Sequence, residues 1–351
     1  MKLSLVTYTF SHFCVDFACF FMLFHSFKPS GSTLETVALG FLIYNVIAFG
    51  LQPFIGFFCD KRKDVPIAVV GCGVLIPGLI LSSVHWSSLI ICALGNACFH
   101  VGGGIDSLRH AKGKMSRSGV FVSAGALGVS LGTLVGQNKS IPLLIPVLLV
   151  AFCGILIIYF TRSKDINSVH IPIDHATVHL SYFMVLFLGL IAVVIRSYVG
   201  SVIPIDWKTT TVLMLIPSIG ACIGKASGGY LADWLGARTV GTVSLLASIP
   251  FLCFGYYDPI YCTIGIILFN ITMPIMLCAV ASKLPQNLGL AFGLTTLALL
   301  CGNVPTFFYA LSRSVTPLIM SVFIIASAYC IFISTINKKG EIKHEEIYKT
   351  F

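Results

Sequence analysis

Gly56-Phe57-Phe58-Cys59-Asp60-Lys61-Arg62 closes one long apolar stretch, and Gly229-Tyr230-Leu231-Ala232-Asp233-Trp234-Leu235-Gly236-Ala237-Arg238 closes another 173 residues later. Each carries a glycine, an aspartate four residues on and basic residues just beyond. Such a pattern, repeated about half a chain apart, predicts a duplicated unit that leaves an apolar medium at the same place in each half. Further landmarks recur in order at offsets of 170 to 174: Asn96 with Asn270, Gly119 with Gly289, and Gly132 with Gly302. The chain therefore reads as two parallel six-helix repeats, an arrangement that puts a binding site between the halves near the bilayer midplane.

Composition supplies the apolar medium. The chain is 57% hydrophobic and 10% charged, with a mean hydropathy of +0.96, whereas soluble domains carry roughly 25% charged residues. A helix needs about 20 apolar residues to cross a hydrocarbon core of roughly 30 Å. On that rule the sequence predicts an all-α membrane protein with twelve spans near 4–27, 34–58, 65–84, 87–108, 118–137, 141–161, 179–199, 208–231, 239–255, 259–281, 288–311 and 315–336. The expected division is an N-terminal bundle at 1–161, a linker at 162–178, a C-terminal bundle at 179–337 and a tail at 338–351. The first stretch contains His12 and Asp16 and lacks a small-residue cleavage site, so it reads as a retained helix rather than a signal peptide.

The net charge of +9 reports topology rather than a nucleic-acid partner. With the N-terminus inside, Lys2, Lys61, Arg62, Lys63, Arg109, Lys112, Lys114, Arg117, Arg162, Lys164, Arg238, Lys283 and the basic tail fall on the cytoplasmic side. Only Lys28, Lys139, Lys208 and Arg313 fall outside. This is the positive-inside pattern, with both termini cytoplasmic; the compact chain and short loops suit a bacterial inner membrane. The 13 cysteines lie almost all within apolar spans and form no Cys-x-x-Cys pair, so they read as small buried hydrophobes. His170, His175 and His179 with Asp174 are close in sequence, but a solvated linker pre-organises no ligand geometry, and no metal is expected there.

The paired Gly-x-x-x-Asp loops resemble the signature loop of the major facilitator superfamily, over almost the whole chain. Ser11-His12-Phe13 with Asp16, Gln52-Pro53-Phe54-Ile55-Gly56, Phe99-His100 and Arg196-Ser197-Tyr198 resemble the fosmidomycin-resistance group of efflux proteins within it. That group follows its Phe-His with Pro-Glu-Gly, where this chain has Val101-Gly102-Gly103. The resemblance implies the twelve-helix major facilitator fold and transport of a small molecule without a cofactor, by a monomer. At helix ends a carboxylate can cap a neighbouring helix N-terminus or pair with a basic residue, and the resemblance implies that such contacts of Asp60 and Asp233, with Gly56 and Gly229, lock the inner gate, with Arg62, Arg109 and Arg238 as candidate partners.

Ionisable groups at membrane depth cost about 2.5 to 3.5 kcal/mol on insertion scales and usually face a cavity or a partner. His12 and Asp16 are four residues apart and share a helix face, where they can share a proton. His100 lies mid-span in the fourth helix, and the resemblance implies that it joins them. Arg196 lies toward the outer end of the seventh span, where a guanidinium can snorkel, and Lys225 lies in the inner half of the eighth. If they line the cavity, they suit a carboxylate, phosphonate or sulfonate. Asn45, Asn96, Asn270 and Asn303 can bond a substrate, or equally neighbouring helices. Gly125, Gly128, Gly132 and Gly136 offer a face for close helix approach, and Gly102-Gly103-Gly104 imply close packing or a helix break.

No nucleotide-binding loop, His-Glu-x-x-His or Gly-x-Ser-x-Gly motif is present. The sequence therefore predicts a secondary active transporter that is not an enzyme, working by alternating access. The leading version is proton-coupled efflux of a drug or metabolite. The alternative is uptake or exchange of a small organic anion held by Arg196 and Lys225.

Overall fold

The computed structural model describes residues 2–27, 33–111, 113–160 and 182–335, and every regular element among them is a helix. In chain order these are α1 (Lys2–Met22), α2 (Leu34–Gly50), α3 (Gln52–Lys61), α4 (Ile67–Ile80), α5 (His85–Arg109), α6 (Met115–Asn138) and α7 (Leu144–Phe160). After the linker come α8 (Tyr182–Val202), α9 (Thr211–Leu235), α10 (Ala237–Ile249), α11 (Pro259–Asn270), α12 (Thr272–Lys283), α13 (Leu288–Asn303) and α14 (Thr316–Ser334). One π turn extends α1 over Leu23–Phe27 and another extends α10 over Pro250–Phe254.

Ten helical segments are long and apolar enough to cross a membrane. The other two, α4 and α7, stand where the third and sixth spans are expected but are shorter. With 14 residues, α4 rises only about 21 Å at roughly 1.5 Å per residue, less than the hydrocarbon thickness. The linker, its histidines and the tail lie outside the described residues.

The second and tenth spans are each two helices, not one. Pro53 and Pro274 have no N–H to donate to the carbonyl four residues back, and the helix is interrupted at Leu51 and Ile271 respectively. The eighth span starts at Thr211 rather than 208, so Lys208 sits in a non-helical segment. Around the glycine triplet, by contrast, α5 is unbroken. A Cβ on Gly102 would come within 2.6 Å of Ala68, and one on Gly103 within 2.6 Å of Phe121. Close packing, rather than a break, is what these glycines serve.

Helices α1, α4, α5, α6 and α7 pack on one another, as do α8, α10, α11, α13 and α14 with their neighbours. The two sets meet along α6 against α9 and α3 against α13. The glycine face of α6 receives α1: a Cβ on Gly136 would lie 2.7 Å from the Phe21 carbonyl oxygen, and Gly128 and Gly132 face the Phe13 and Phe17 carbonyls in the same way. Backbones pack this closely where lipid supplies no hydrophobic drive between helices. Large apolar side chains point outward, among them Phe54, Phe183 and Leu318, as an apolar surrounding requires. All 13 cysteines are free and ten are buried.

Candidate functional site

Three buried ionisable side chains meet between α1 and α5. Asp16 places one carboxylate oxygen 3.2 Å from His12 Nε2 and the other 3.5 Å from His100 Nε2. Asn96 Nδ2 donates to Asp16 Oδ1 at 3.3 Å. His12 is carried against α6 by the close α1–α6 approach, and its Nδ1 meets the Phe121 carbonyl at 2.8 Å. His100 Nδ1 meets the Asn96 carbonyl, one turn back on its own helix, at 3.0 Å.

These contacts constrain the tautomers. A carbonyl oxygen only accepts, so both Nδ1 atoms carry hydrogen. Two neutral rings would then aim lone pairs at each other from their Nε2 atoms, which are 2.9 Å apart. A hydrogen between them relieves that approach, and it makes one ring an imidazolium beside the Asp16 carboxylate. The arrangement holds one proton beyond the neutral tautomers and is then electrically neutral. The donor atoms also lie within 4.8 Å of one another, as a metal site would require. However, two ligands of a tetrahedral ion at about 2.05 Å from it stand about 3.3 Å apart, and the imidazoles are closer than that.

Arg196 and Lys225 come together on a second site, a cavity of about 410 Å³ in the C-terminal half. Arg196 does not snorkel: it is 7% exposed. Its Nη2 donates to Asn270 Oδ1 at 2.6 Å, its Nη1 approaches the Met273 sulfur at 3.5 Å, and its guanidinium lies 5.5 Å from the Phe269 ring centre. The Lys225 side chain makes no hydrogen bond or ion pair among the described residues. Ser218, which also lines the cavity, bonds Ser130 of α6 and ties this wall to the first half.

The remaining candidate amides do other work. Asn45 Nδ2 donates to the Phe41 carbonyl of its own helix at 2.7 Å. Asn303 ends α13 and accepts from Ser201 at 2.8 Å. Neither faces the charged groups.

The repeated glycine-aspartate pairs form two crosswise contacts at one end of the molecule. Asp60 accepts hydrogen bonds from the Gly289 and Leu290 amides at 2.8 and 2.9 Å, at the first turn of α13. Asp233 accepts from the Met115 and Ser116 amides at 2.7 and 3.0 Å, at the first turn of α6. Each carboxylate caps a helix N-terminus of the other half, where free N–H groups and the helix dipole favour negative charge. The glycine one turn earlier makes the reach possible. A Cβ on Gly56 would come 2.9 Å from the Leu290 nitrogen, and one on Gly229 would come 2.7 Å from the Met115 carbonyl oxygen.

The arginines expected as partners are engaged elsewhere or face other groups. Arg238 donates to the Thr335 carbonyl at 2.7 Å and lies over Phe332. Arg62 and Arg109 line a separate cavity of about 480 Å³. These contacts also correct the register of the repeat. Met115 and Ser116 match Gly289 and Leu290 at an offset of 174, so Gly119 corresponds to Gly293, one turn beyond its expected match, Gly289. Gly119 faces the Lys225 carbonyl as Gly293 faces that of Gln52.

Sequence reasoning missed one buried network. Asp106 of α5 pairs with Arg117 of α6 at 3.1 Å and with His110 at 3.0 Å, and it accepts from Ser4 of α1 at 2.8 Å. Arg117 was expected only to mark the cytoplasmic side. The signal was Asp106, an acid inside the fourth span.

No protein-family profile and no curated relative matches the sequence. Solved structures do match in shape. A major facilitator superfamily transporter, FucP, in the outward conformation superposes with a TM-score of 0.69 at 12% identity, over 96% of this chain and 99% of that one. A variant of the E. coli fucose:proton symporter FucP gives 0.66 at 11% identity, over 95% and 96%. The fold is that of these transporters.

Proposed function

We propose that the chain is a secondary active transporter that moves a small organic solute across a membrane by alternating access, driven by protons taken up at His12, Asp16 and His100. The observation that carries the proton assignment is the Nε2–Nε2 distance of 2.9 Å between rings whose Nδ1 atoms both face carbonyls. One proton holds the two rings together. Its loss leaves two opposed lone pairs beside a carboxylate, and the rings must part. Protonation is thereby converted into a displacement of α5 against α1, the kind of two-state element that alternating access requires. The crosswise aspartate caps hold one end of the molecule shut, and the basic residues around them support a cytoplasmic location for that end, in a bacterial inner membrane.

The sequence leads with export, and export by proton exchange needs solute and proton to exclude one another. Here the proton cluster belongs to α1 and α5 and the cationic cavity to the second half. Two sites that can fill together favour co-transport, and this reading replaces export as the leading direction.

The test is purified protein in liposomes holding a pH-sensitive dye, with carboxylates, sugars and amphiphilic amines added singly. A carried solute acidifies the lumen, and Asp16→Asn abolishes the acidification. Acidification that persists undiminished in Asp16→Asn refutes the proton assignment.

A further inference from the structure

We infer that the transported solute is a small organic anion, and that it binds together with the proton because Asp16 is the counter-charge it replaces. The inference rests on the transporter reading above and names the substrate class of its binding site.

The cavity that Arg196 and Lys225 line also receives Lys208, and no carboxylate is among the described residues that form its wall. The nearby acid, Asp206, is taken by Arg313 at 2.9 Å. Arg196 has only neutral partners, and its Nε is buried with no hydrogen-bond partner. A guanidinium 7% exposed with an idle donor and no counter-ion is an expensive arrangement, since buried charges are otherwise paired. A carboxylate, phosphonate or sulfonate supplies both the missing charge and the missing acceptor. Beside the polar Ser197, Ser218 and Asn270, the wall carries an apolar patch of Ile203, Ile205, Ile266 and Leu299, so the ligand carries a hydrocarbon or aromatic body behind its anionic head. About 410 Å³ is within the size range of small-molecule sites.

Asp16 and Lys225 flank the same helix: Asp16 packs against Gly125 of α6 and the Lys225 backbone against Gly119, about 9 Å apart along its axis. With the cluster unprotonated, Asp16 acts as a distant counter-ion for the cations. Once the cluster takes its proton, that negative charge is cancelled and the cavity is left more positive. The anion and the proton therefore assist each other, and by linkage the assistance is equal in both directions. The surroundings of Asp16 support this assignment. Apart from His12, it is faced by His100 and Asn96 from α5, with Cys19 of α1 sharing the Asn96 amide, while Tyr44 of α2 and Lys225 of α9 stand beyond hydrogen-bond reach. Helix α6 presents Gly125 and Gly128 to it. Helices α4 and α7 bring the thiols Cys72 and Cys153 beside Cys14. Asp106 and Arg117 meet α1 at Ser4, three turns away. On the cavity side, Lys225 is faced by Arg196 from α8.

The experiment is binding in detergent, which needs no transport. Benzoate, succinate and methylphosphonate are titrated against the purified protein at pH 5.5 and pH 8 by calorimetry, with glucose and tetraphenylphosphonium as neutral and cationic controls. The expected result is that at least one anion binds, about tenfold tighter at the lower pH, a factor within the roughly 5–150-fold span usual for coupled sites. Asp16→Asn, which holds the cluster without its charge, binds the anion tightly at both pH values. Lys225→Gln loses the affinity and Lys225→Arg retains it; monodispersity on gel filtration checks that each variant is folded. Binding of only the controls overturns the anion assignment. Anion binding that is the same at both pH values, or weaker in Asp16→Asn, overturns the coupling. Solute-driven proton flux in liposomes is a separate readout, so failure of the transporter reading is not confused with either.

Discussion

Replacing Asp60 by asparagine removes a charge from the first turn of α13 and leaves one oxygen to serve two amides. Hydrogen bonds to a charged group contribute about 1.5 to 3 kcal/mol each, and Asp60 is only half-buried, so the lower figure applies. The pair of bonds from Gly289 and Leu290 is then worth about 3 kcal/mol to the closed arrangement. Asparagine forfeits one bond and the charge that strengthened the other, about 2 kcal/mol, or roughly a 30-fold shift in the open–closed equilibrium. Alanine forfeits both bonds, and the shift exceeds about 100-fold. Backbone amide exchange followed by mass spectrometry reads this directly, because the two amides are the donors. Exchange at Gly289 and Leu290 should quicken by about those factors, in the order alanine over asparagine over wild type. Exchange along α14, which packs on α8 and α10 rather than on α13, should not change. Equal protection at Gly289 and Leu290 in all three proteins would refute the claim that this carboxylate holds the halves together.

Asp233→Asn should have the matching effect at Met115 and Ser116, and the double variant should open further than either single one, by the same exchange measurement. Gly56→Ala and Gly229→Ala force apart the backbones their partners' carboxylates bridge, so each should reproduce the exchange signature of the neighbouring aspartate variant while the carboxylate is intact. Gly125→Ala sets a methyl 3.0 Å from the His12 Cδ2 and closer still to the Asp16 carboxylate; proton-coupled flux should fall far more than the melting temperature. Arg117→Met leaves Asp106 buried with weaker partners, and loss of one member of a buried pair costs about 3 to 5 kcal/mol, so thermal stability in detergent should drop clearly, with partial recovery in Asp106→Asn, Arg117→Met.

The fold was legible because lipid imposes a simple rule: runs of about 20 apolar residues become helices. The rule fails where proline interrupts a run that hydropathy sees as continuous, as at Pro53 and Pro274, because it does not count missing donors. Asp16, His12 and His100 stood out as costly residues, and spacing with the resemblance brought them together, but the carbonyls that orient the two rings did not stand out. That His12 bonds the Phe121 carbonyl depends on Gly125 and Gly128 admitting α1, a tertiary fact that no spacing along α1 expresses. The capping role of Asp60 and Asp233 was among the readings the sequence allowed, yet the basic residues beside them suggested ion pairs, because backbone amides leave no mark in a sequence. Lys208 was placed on the outer side at the start of the eighth span, and no spacing along the chain shows that it lines the cavity.

The crosswise caps have a consequence for how such a chain can be assembled. Each half supplies one carboxylate and one helix start, and the two contacts are related by the same offset in sequence. A surface of that kind is self-complementary: the patch one half offers is the patch it accepts, which is the isologous relation found in two-fold dimers. The two halves, produced as separate polypeptides, should therefore find each other without being joined. The chemistry is what breaks the equivalence. At the same offset, Leu186, Leu190 and Pro274 stand where the first half has His12, Asp16 and His100. The halves are alike where they clasp and unlike where they bind.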